Sequence, residues 1–360
     1  MPLILAMLGL LLTGHSAAAA DTTYAEKAAA LVQSYIDADR FSGAVLVALD
    51  GKPIFRQGFG LANREWGIAN TPETKFRIGS ITKTFTSVAI LQLVERGKLG
   101  LDDPVSRHYA KAPAAWNNIK IRHLLSQQSG ILSFSRTPEY EGWSKVHHTP
   151  EESIGLIRDA PLRFEPGTKY EYSNSNHAIL GVVIEAITGQ SYAVYLRENI
   201  LGPLGMNDSG LDLNETVISR RASGYDRESG AWKNAEYVAM SIPYAAGSMY
   251  STVDDLLKWD QALGTEALLK SGSLRAMFTD YDGGYGFGWR VGNWLGNRVH
   301  TNSGGISGFT ALICRYPDER LTIILLTNLH RAPVAWIANE LASLHLGIFG
   351  TLGHLCLYES

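Results

Sequence analysis

The stretch Ile78-Gly79-Ser80-Ile81-Thr82-Lys83-Thr84-Phe85 opens a mostly apolar run that continues to Val94 and is followed by Gly97 and Gly100. This pattern predicts a buried helix that begins near Gly79-Ser80 and ends near Lys98-Leu99. Residues three apart lie on one side of a helix, so Ser80 and Lys83 would project together from the first turn. A desolvated lysine amine can take the proton of a serine hydroxyl, and N–H groups at a helix N-terminus suit a developing oxyanion.

The Ser-x-x-Lys spacing is a weak signal by itself, because about one chance match is expected in a chain of this length. Ser80 is the only serine with a lysine three residues later. A chance pairing on a structural helix is therefore as good an interpretation as a nucleophile with its base, and the rest of the chain has to decide.

Length and composition exclude several classes of function. The 360 residues suffice for one large domain or two smaller ones, and 45% hydrophobic and 19% charged residues are ordinary for a globular protein. A net charge of −3 provides no basic field for nucleic acid. The ten histidines show no metal-binding spacing, so we expect neither a metal nor another cofactor.

The N-terminus resembles an export signal. Residues 2–12 are apolar, and a run of small residues, Ala17 to Ala20, precedes Asp21. This predicts a signal peptide over residues 1–20 and a secreted or periplasmic protein, although Lys and Arg are missing from the start. An uncleaved apolar helix is the alternative. Later segments are too short to cross a membrane.

The two cysteines do not make a disulfide framework. Cys314 lies in an apolar, strand-like run, which predicts a buried free thiol. A bond between Cys314 and Cys356 is the alternative in an exported protein.

Hydrophobic periodicity places strands at the two ends of the chain and helices between them. It predicts an α+β fold, in which an antiparallel sheet is flanked by terminal helices and interrupted by a mostly helical insert. Residues 21–346 would form one discontinuous domain, with the sheet part at 21–79 and 280–346 and the helical part at 80–279. No role is assigned to the tail, residues 347–360. The predicted helices and strands of the sheet part are Thr23–Ala38, Phe41–Leu49, Pro53–Gly60, Tyr285–Val291, Arg298–Asn302, Thr310–Tyr316, Leu321–Thr327 and Val334–Leu346.

Tyr172 and Asn174 form the only Tyr-x-Asn pair, just before a strongly apolar helix. A tyrosine near a lysine can act as a general acid or base, and an asparagine amide can hold a carbonyl group or an amine. The alternative is a polar loop in which the tyrosine packs its ring and the asparagines cap the helix.

A third constellation is Arg298-Val-His300-Thr-Asn302-Ser303-Gly304-Gly305-Ile306-Ser-Gly308-Phe309. Extended residues two apart share a face, so His300 and Asn302 would point the same way. Gly304 and Gly305 would allow a ligand to approach the backbone closely. A hairpin turn that uses glycine for its geometry is the alternative.

Together these motifs resemble the serine β-lactamase-related family, which includes class C β-lactamases, penicillin-binding D-alanyl-D-alanine carboxypeptidases and related carboxylesterases. The resemblance runs from about Phe41 to about Leu346. It rests on Ser80-x-x-Lys83, Tyr172-x-Asn174 and the glycine-rich strand end before Gly308-Phe309, and on the flanking phrases Phe76-Arg-Ile-Gly-Ser80, Leu124-Leu-Ser-Gln-Gln-Ser-Gly130, Pro166-Gly-Thr-Lys-Tyr-Glu-Tyr172 and Tyr285-Gly-Phe-Gly-Trp289.

The resemblance implies a role for each matching residue. Ser80 would be the acylated nucleophile and Lys83 would take its proton. Tyr172 would protonate the leaving group, and Asn174 would contact the substrate and Lys83. The backbone N–H groups of Ser80 and Gly305 would form the oxyanion hole.

The third motif departs from the family pattern, which has Lys-Thr-Gly or His-x-Gly. Aligned through Ser303-Gly304-Gly305, the cation position holds Asn302, and His300 stands two residues earlier. Either Asn302 replaces the cation or a shift of two residues lets His300 serve. Without a fixed charge, an ester or amide that lacks a free carboxylate becomes the better substrate.

These observations favour an exported serine hydrolase that forms an acyl-enzyme on Ser80, acting on a small-molecule or peptide substrate. The alternative is a non-catalytic substrate- or peptidoglycan-binding protein on the same scaffold, which the eroded third motif favours. An α/β-hydrolase is disfavoured, since no serine has glycine at both −2 and +2.

Overall fold

The computed structural model describes residues 14–347, with side chains from Thr23 onward. The first part of the predicted signal peptide, the C-terminal tail and Cys356 lie outside the described residues. Cys314 is fully buried within a strand and is a free thiol.

One large antiparallel sheet organises the molecule, with strand order β10-β11-β12-β13-β1-β2. The two N-terminal strands thus extend a sheet that the C-terminal strands begin. Its strands are β1 (Gly43–Leu49), β2 (Lys52–Phe59), β10 (Arg290–Trp294), β11 (Asn297–Ile306), β12 (Phe309–Tyr316) and β13 (Leu321–Thr327). Short strands form three smaller sheets: β3 (Leu61–Asn63), β4 (Ile68–Ala69), β5 (Phe76–Arg77), β6 (Gly210–Leu211), β7 (Tyr225–Glu228), β8 (Ala231–Asn234) and β9 (Met249–Ser251).

Helices cover both faces of the large sheet. The α-helices of the described residues are α1 (Gly14–Asp37), α2 (Thr82–Glu95), α3 (Ile121–Leu125), α4 (Tyr140–Trp143), α5 (Pro150–Arg158), α6 (Asn174–Thr188), α7 (Tyr192–Leu196), α8 (Tyr244–Gly247), α9 (Val253–Leu263), α10 (Ser271–Met277) and α11 (Val334–Leu346). Within the described residues no single helix is long and apolar enough to cross a membrane. Only the pair Asn174–Thr188 and Tyr192–Leu201, bent by 82° at its break, meets that length and composition together.

Strand β1 shows why the sheet has two hydrophobic layers. Val45 and Val47 belong to the cluster formed with α1 and α11, whereas Leu46 faces the cluster formed with the helical insert. Side chains alternate between the faces of a strand, so β1 reads as a continuous apolar run because both faces are covered. The α+β architecture with terminal helices and a mostly helical insert is confirmed, although the insert also contains short strands.

Two boundaries differ from the prediction, each because of glycine. The Ser80 element starts as a 3-10 turn, Gly79–Ile81, and becomes α-helical only at Thr82. The predicted strand Tyr285–Val291 is wrong, because strand β10 begins at Arg290. Gly284 and Gly288 adopt φ values of +70° and +78°, which no regular strand contains. The aromatic side chains just before β10 are therefore buried, but they belong to a loop.

Strand β11 is longer than predicted and runs through the third motif. Gly304 and Gly305 pair with Ala311 and Thr310 in the ladder with β12, and the chain turns afterwards at Gly308, where φ is +78°. The hairpin turn of the alternative is therefore present, but it uses Gly308, whereas Gly304 and Gly305 lie within the strand.

Candidate active site

The turn that carries Ser80 is held from inside the protein. The Thr82 hydroxyl donates to the Gly79 carbonyl at 2.7 Å and accepts from the Met249 backbone N–H at 3.1 Å. Gly79 has a φ of +50°, a left-handed conformation that suits glycine. The following helix is buried on all sides for most of its length, so Ser80 lies partly exposed at the end of a rigid, buried element.

Strand β11 crosses this turn at van der Waals contact. A Cβ atom added to Gly304 would lie 1.8 Å from the Ile78 carbonyl oxygen and 2.9 Å from the Ser80 nitrogen. A Cβ added to Gly79 would lie 2.9 Å from the Gly305 nitrogen. Glycine at these positions therefore brings the backbone nitrogens of Ser80 and Gly305 to one place.

Lys83 projects from α2 into the same place and is fully buried. Its Nζ lies 2.9 Å from Ser80 Oγ, 2.9 Å from Asn174 Oδ1 and 2.7 Å from the Ala246 carbonyl oxygen. The amide and carbonyl oxygens can only accept hydrogen bonds, whereas a serine hydroxyl can also donate. A neutral amine has two N–H donors and one lone pair, which match these three neighbours.

Burial also favours the neutral amine. It lowers the pKa of Lys83 well below the usual value of a lysine, because an ammonium loses its hydration when it is taken out of water. Contacts and solvation thus agree that Lys83 can accept the Ser80 proton.

The Tyr172 hydroxyl completes the group around the serine. It lies 2.7 Å from Ser80 Oγ, and either oxygen can be the donor. Lys83 Nζ lies 4.9 Å from the centre of the Tyr172 ring, where an ammonium would stabilise the ring and its phenolate. Four of the predicted site residues, Ser80, Lys83, Tyr172 and Asn174, are therefore brought together.

The Asn174 amide is oriented by a second contact. Its Nδ2 donates to Ser135 Oγ at 3.1 Å, and its backbone N–H donates to Ser133 Oγ at 3.0 Å. The bond to Ser135 identifies the amide nitrogen of Asn174 and leaves its Oδ1 to accept from Lys83. The alternative that the asparagines cap a helix agrees only with the position of Asn174, which is the first residue of α6; no side-chain capping bond is formed there.

Gln127 is a residue that the sequence analysis did not single out for the site. It is fully buried, with a φ of +62°, and accepts from the backbone N–H groups of both residues that flank Tyr172. Its carbonyl oxygen accepts from the Glu171 N–H at 2.9 Å, and its Oε1 accepts from the Ser173 N–H at 2.9 Å. Its Oε1 also accepts from Asn176 Nδ2 at 2.6 Å. The family-like phrase Leu124–Gly130 that contains it was the available signal, but only the fold reveals its partners.

The structure places Asn302 and His300 away from the cleft surface. Asn302 is buried, and its Nδ2 donates to the Gly288 carbonyl at 2.5 Å. It lies on the face of β11 that Gly304 presents to the serine turn, whereas Ser303 lies on the other face by strand alternation. Asn302, and not His300, is thus the third-motif residue nearer to Ser80.

His300 is not brought to the site. Its ring stacks on Phe278 with 4.3 Å between centroids, and it is 7% exposed. Four residues of extended strand separate it from Gly304, which is about 13 Å. Burial, with help from the nearby Arg315 and Arg298, lowers the pKa of His300 to about 3, so the ring is neutral at ordinary pH and provides no cation for a ligand.

Ser80 opens into a cleft of about 540 Å³. From β11 and the turn after it, the lining contains Gly305, Ile306 and Ser307. The other lining residues come from three regions of the insert and from the loop after β13; they are Phe134, Tyr140, Glu141, Ser144, Lys145, Asn174, Asp226, Glu236, Val238, Pro243, Ala246, Gly247, His330 and Arg331. Among the described residues, no group of His, Cys, Asp and Glu side chains is arranged to hold a metal ion.

Comparisons with known proteins agree with this geometry. The family model described as Beta-lactamase matches residues 28–345. A Bacillus subtilis protein named as a penicillin-binding protein, PbpX, is 30% identical over 314 residues, which cover 87% of this chain and 77% of that protein.

Two solved structures show the same fold. The octameric penicillin-binding protein homologue from Pyrococcus abyssi is 30% identical, has a TM-score of 0.79 and is matched over 89% of this chain and 77% of its own. The D-amino acid amidase from Ochrobactrum anthropi SV3 is 24% identical, with a TM-score of 0.80 over 90% of this chain and 99% of its own, and supports the fold alone. Because the family model spans nearly the whole described chain and the relatives match it over most of their length, this protein belongs to the Beta-lactamase family.

Proposed function

We propose that this protein is a serine hydrolase that forms an acyl-enzyme on Ser80 and hydrolyses an ester or an amide. The observation that carries the proposal is the environment of Lys83. Its Nζ lies within 2.9 Å of two oxygens that can only accept, on Asn174 and Ala246, and 2.9 Å from Ser80 Oγ. Burial lowers the pKa of this amine and favours the neutral form, whose lone pair can take the serine proton.

In the acylation step, Ser80 Oγ bonds to the substrate carbonyl carbon while its proton passes to Lys83 Nζ. Tyr172 then gives its proton to the leaving oxygen or nitrogen as the bond between the carbonyl carbon and that atom breaks. The site is left with a Lys83 ammonium, a Tyr172 phenolate and an ester on Ser80. Charge is balanced throughout, and the ammonium close to the ring stabilises the phenolate.

Deacylation returns both groups to their starting state. The Tyr172 phenolate takes a proton from water, whose oxygen attacks the acyl carbon. The bond to Ser80 Oγ breaks, and the Lys83 ammonium returns a proton to that oxygen. The backbone N–H groups of Ser80 and Gly305 would stabilise the oxyanion in both steps, since each lies where β11 crosses the serine turn.

Asn302 indicates which leaving groups the site prefers. The family usually has a cation at this position, which suits a carboxylate on the leaving-group part of the substrate. Here the side chain is a neutral amide engaged with the Gly288 carbonyl. We therefore expect substrates whose leaving group is uncharged, such as simple esters and amides.

The second candidate is a non-catalytic binding protein, which is favoured by the loss of the family's cation at Asn302. A chain that only binds would have no need of a base for Ser80. We also propose that residues 1–20 act as a signal peptide, in which case either protein would be secreted or periplasmic.

Labelling experiments separate these possibilities. The protein is treated with a fluorophosphonate and, separately, with a fluorescent penicillin, beside Ser80→Ala and a matched control, Ser34→Ala. The control serine lies on the exposed face of α1, where its hydroxyl binds only the Leu31 carbonyl. We expect fluorophosphonate labelling that is lost only in Ser80→Ala, with weaker penicillin labelling. No labelling by either reagent would favour the binding protein.

A further inference from the structure

The two ends of β11 serve different parts of a substrate. Tyr170, two residues before Tyr172, lies against the start of β10, where its hydroxyl accepts from Arg290 at 3.3 Å. Arg290 pairs with Thr301 of β11. The proposed leaving-group acid therefore lies at the Thr301 end of the strand. The acyl part of a substrate bound to Ser80 must extend toward the opposite end, past Gly305 to Ser307.

That opposite end carries charged side chains. The Tyr225 N–H donates to the Gly308 carbonyl at 3.4 Å, which places β7 and the loop after β13 beside the turn. His330 Nδ1 and Asp226 Oδ1 lie 2.8 Å apart, and both residues line the cleft. The next residue, Arg331, also lines the cleft. This group, Asp226, His330 and Arg331, is the distal end of the cleft.

Arg331 is the member of the distal end without a partner. Its side chain is exposed, and none of the described residues forms an ion pair or a hydrogen bond with it. Asp226, in contrast, is engaged by His330. On the wall formed by the insert, Lys145 is paired with Glu236. Arg331 is thus the cation of the lining that remains available to a ligand.

The backbone at Arg331 adds an independent observation. Its φ is +57°, in the left-handed region where an arginine is strained and a glycine is not. Strained residues persist where the surrounding structure holds them, and they cluster at sites that bind ligands. At this position glycine would be more stable, yet the residue that lines the cleft is an arginine.

We propose that Arg331 binds an anionic group on the acyl part of the substrate, so that the preferred substrates are esters or amides of dicarboxylic-type acids. This inference rests on the proposed function. The charge that the family places on the leaving-group side is absent at Asn302, and the available cation lies on the acyl side instead. A guanidinium binds a carboxylate through two parallel hydrogen bonds, which favours that anion.

Distance sets the length of the acyl group. Strand β13 lies two strands from β11, which is about 10 Å, and the arginine side chain bridges part of that gap. Glu141 on the opposite wall is the acid of the lining that has no ion pair among the described residues. It opposes binding of an anion, so replacing it with glutamine should raise the preference that Arg331 creates.

Two chromogenic esters test the inference. They are the 4-nitrophenyl monoester of adipic acid and its isostere in which the free carboxylate is replaced by a carboxamide. The ratio of their kcat/KM values is measured for the wild-type protein, Arg331→Gly and Arg320→Gly. Arg320 is a matched control, because it is also an exposed arginine with a left-handed φ of +53°, but it pairs with Asp50 away from the cleft. Glycine relieves backbone strain at both positions, so neither variant should fail to fold.

We expect the wild-type ratio to favour the carboxylate and to fall about three- to tenfold in Arg331→Gly, but not in Arg320→Gly. The wild-type ratio should also fall as salt is added, because an exposed ion pair is screened. An equal ratio in wild type and Arg331→Gly overturns the inference. The inference is also overturned if the wild-type protein hydrolyses neither ester. If the same protein is still labelled on Ser80 by the fluorophosphonate, the proposed function stands.

Discussion

The hydroxyl groups of Ser80 and Tyr172 lie 2.7 Å apart, although 92 residues separate them in the chain. The serine is held by the buried helix α2 and the tyrosine by the segment before α6. Lys83 reaches the serine from one side and the tyrosine ring from another. The Ser80 hydroxyl thereby lies between the proposed base and the proposed proton donor, and the following predictions test those roles.

The first prediction concerns the base. Lys83→Ala and Lys83→Arg should each lower the rate of acylation by about 10²- to 10⁴-fold, the usual range for loss of a general base. Arginine supplies a cation that cannot lose a proton, so it should not rescue the rate. The measurement is the rate of fluorophosphonate labelling. Near-normal labelling of Lys83→Arg would show that charge, and not proton transfer, is what the serine needs.

The second prediction separates the role of Tyr172 from that of Lys83. Tyr172→Phe removes the proton that the leaving group receives, while the ring is kept. Its kcat/KM should fall about 10²-fold or more for an alkyl ester or an amide. The loss should be much smaller for a 4-nitrophenyl ester, because nitrophenolate leaves without a proton. Equal losses for the two substrates would remove Tyr172 from the leaving-group step.

The third prediction concerns Gln127, which accepts from the backbone N–H groups of the two residues beside Tyr172. Gln127→Leu leaves the Ser173 N–H without its acceptor and should lower kcat more than it raises KM, with a larger loss for alkyl esters than for nitrophenyl esters. Gln127→Glu keeps the acceptor and should restore much of the loss. A structural role alone would reduce the stability of both variants without this dependence on the leaving group.

The fourth prediction concerns pH and stability. The pKa of His300 falls from its ordinary value of 6.5 to about 3 in the folded protein. The unfolded chain therefore binds a proton that the folded chain refuses, and the free energy of unfolding decreases as the pH falls from 6.5 toward 3. The slope from this residue is at most about 1.4 kcal/mol per pH unit.

His300→Phe keeps the stacking on Phe278 and removes the titration. Denaturant unfolding across that pH range should show a shallower decline for this variant than for wild type. An unchanged decline would mean that His300 titrates normally. Activity on neutral esters should be retained, because His300 lies outside the catalytic group.

The fifth prediction tests the effect of the missing cation at Asn302 in the third motif. Asn302→Lys restores the cation that the family usually has and can still donate to the Gly288 carbonyl. Labelling by a fluorescent penicillin, which carries a carboxylate, should become several-fold faster than in wild type. Asn302→Ala is the control and should not show this gain. No change in Asn302→Lys would mean that this position does not face the carboxylate of a bound penicillin.

Much of the fold follows from local pattern. The apolar run after Ser80 predicts a buried helix because no polar stripe interrupts it, and α2 is buried along most of its length. The short apolar runs at both ends of the chain predict one sheet with a helical insert. The glycine-rich loop before β10 misled the prediction, because its buried aromatic residues alternate as they would in a strand.

The site was less accessible to sequence reasoning where it depends on contacts between distant segments. The spacing of Ser80 and Lys83 is local, so the helix brings them together. The choice between His300 and Asn302 depended on the register of β11 against the serine turn, which only Gly304 at that crossing reveals. Gln127 acts through residues more than forty positions later, and no pattern in its own segment indicates those partners.

The most direct test of the central claim is mass spectrometry of the protein, quenched in acid during turnover of an ester. The account predicts one added acyl mass that maps to the peptide containing Ser80. It should accumulate far more slowly in Lys83→Ala and be absent from Ser80→Ala. Turnover by the wild-type protein without any acyl adduct, or with an adduct on another residue, would contradict it.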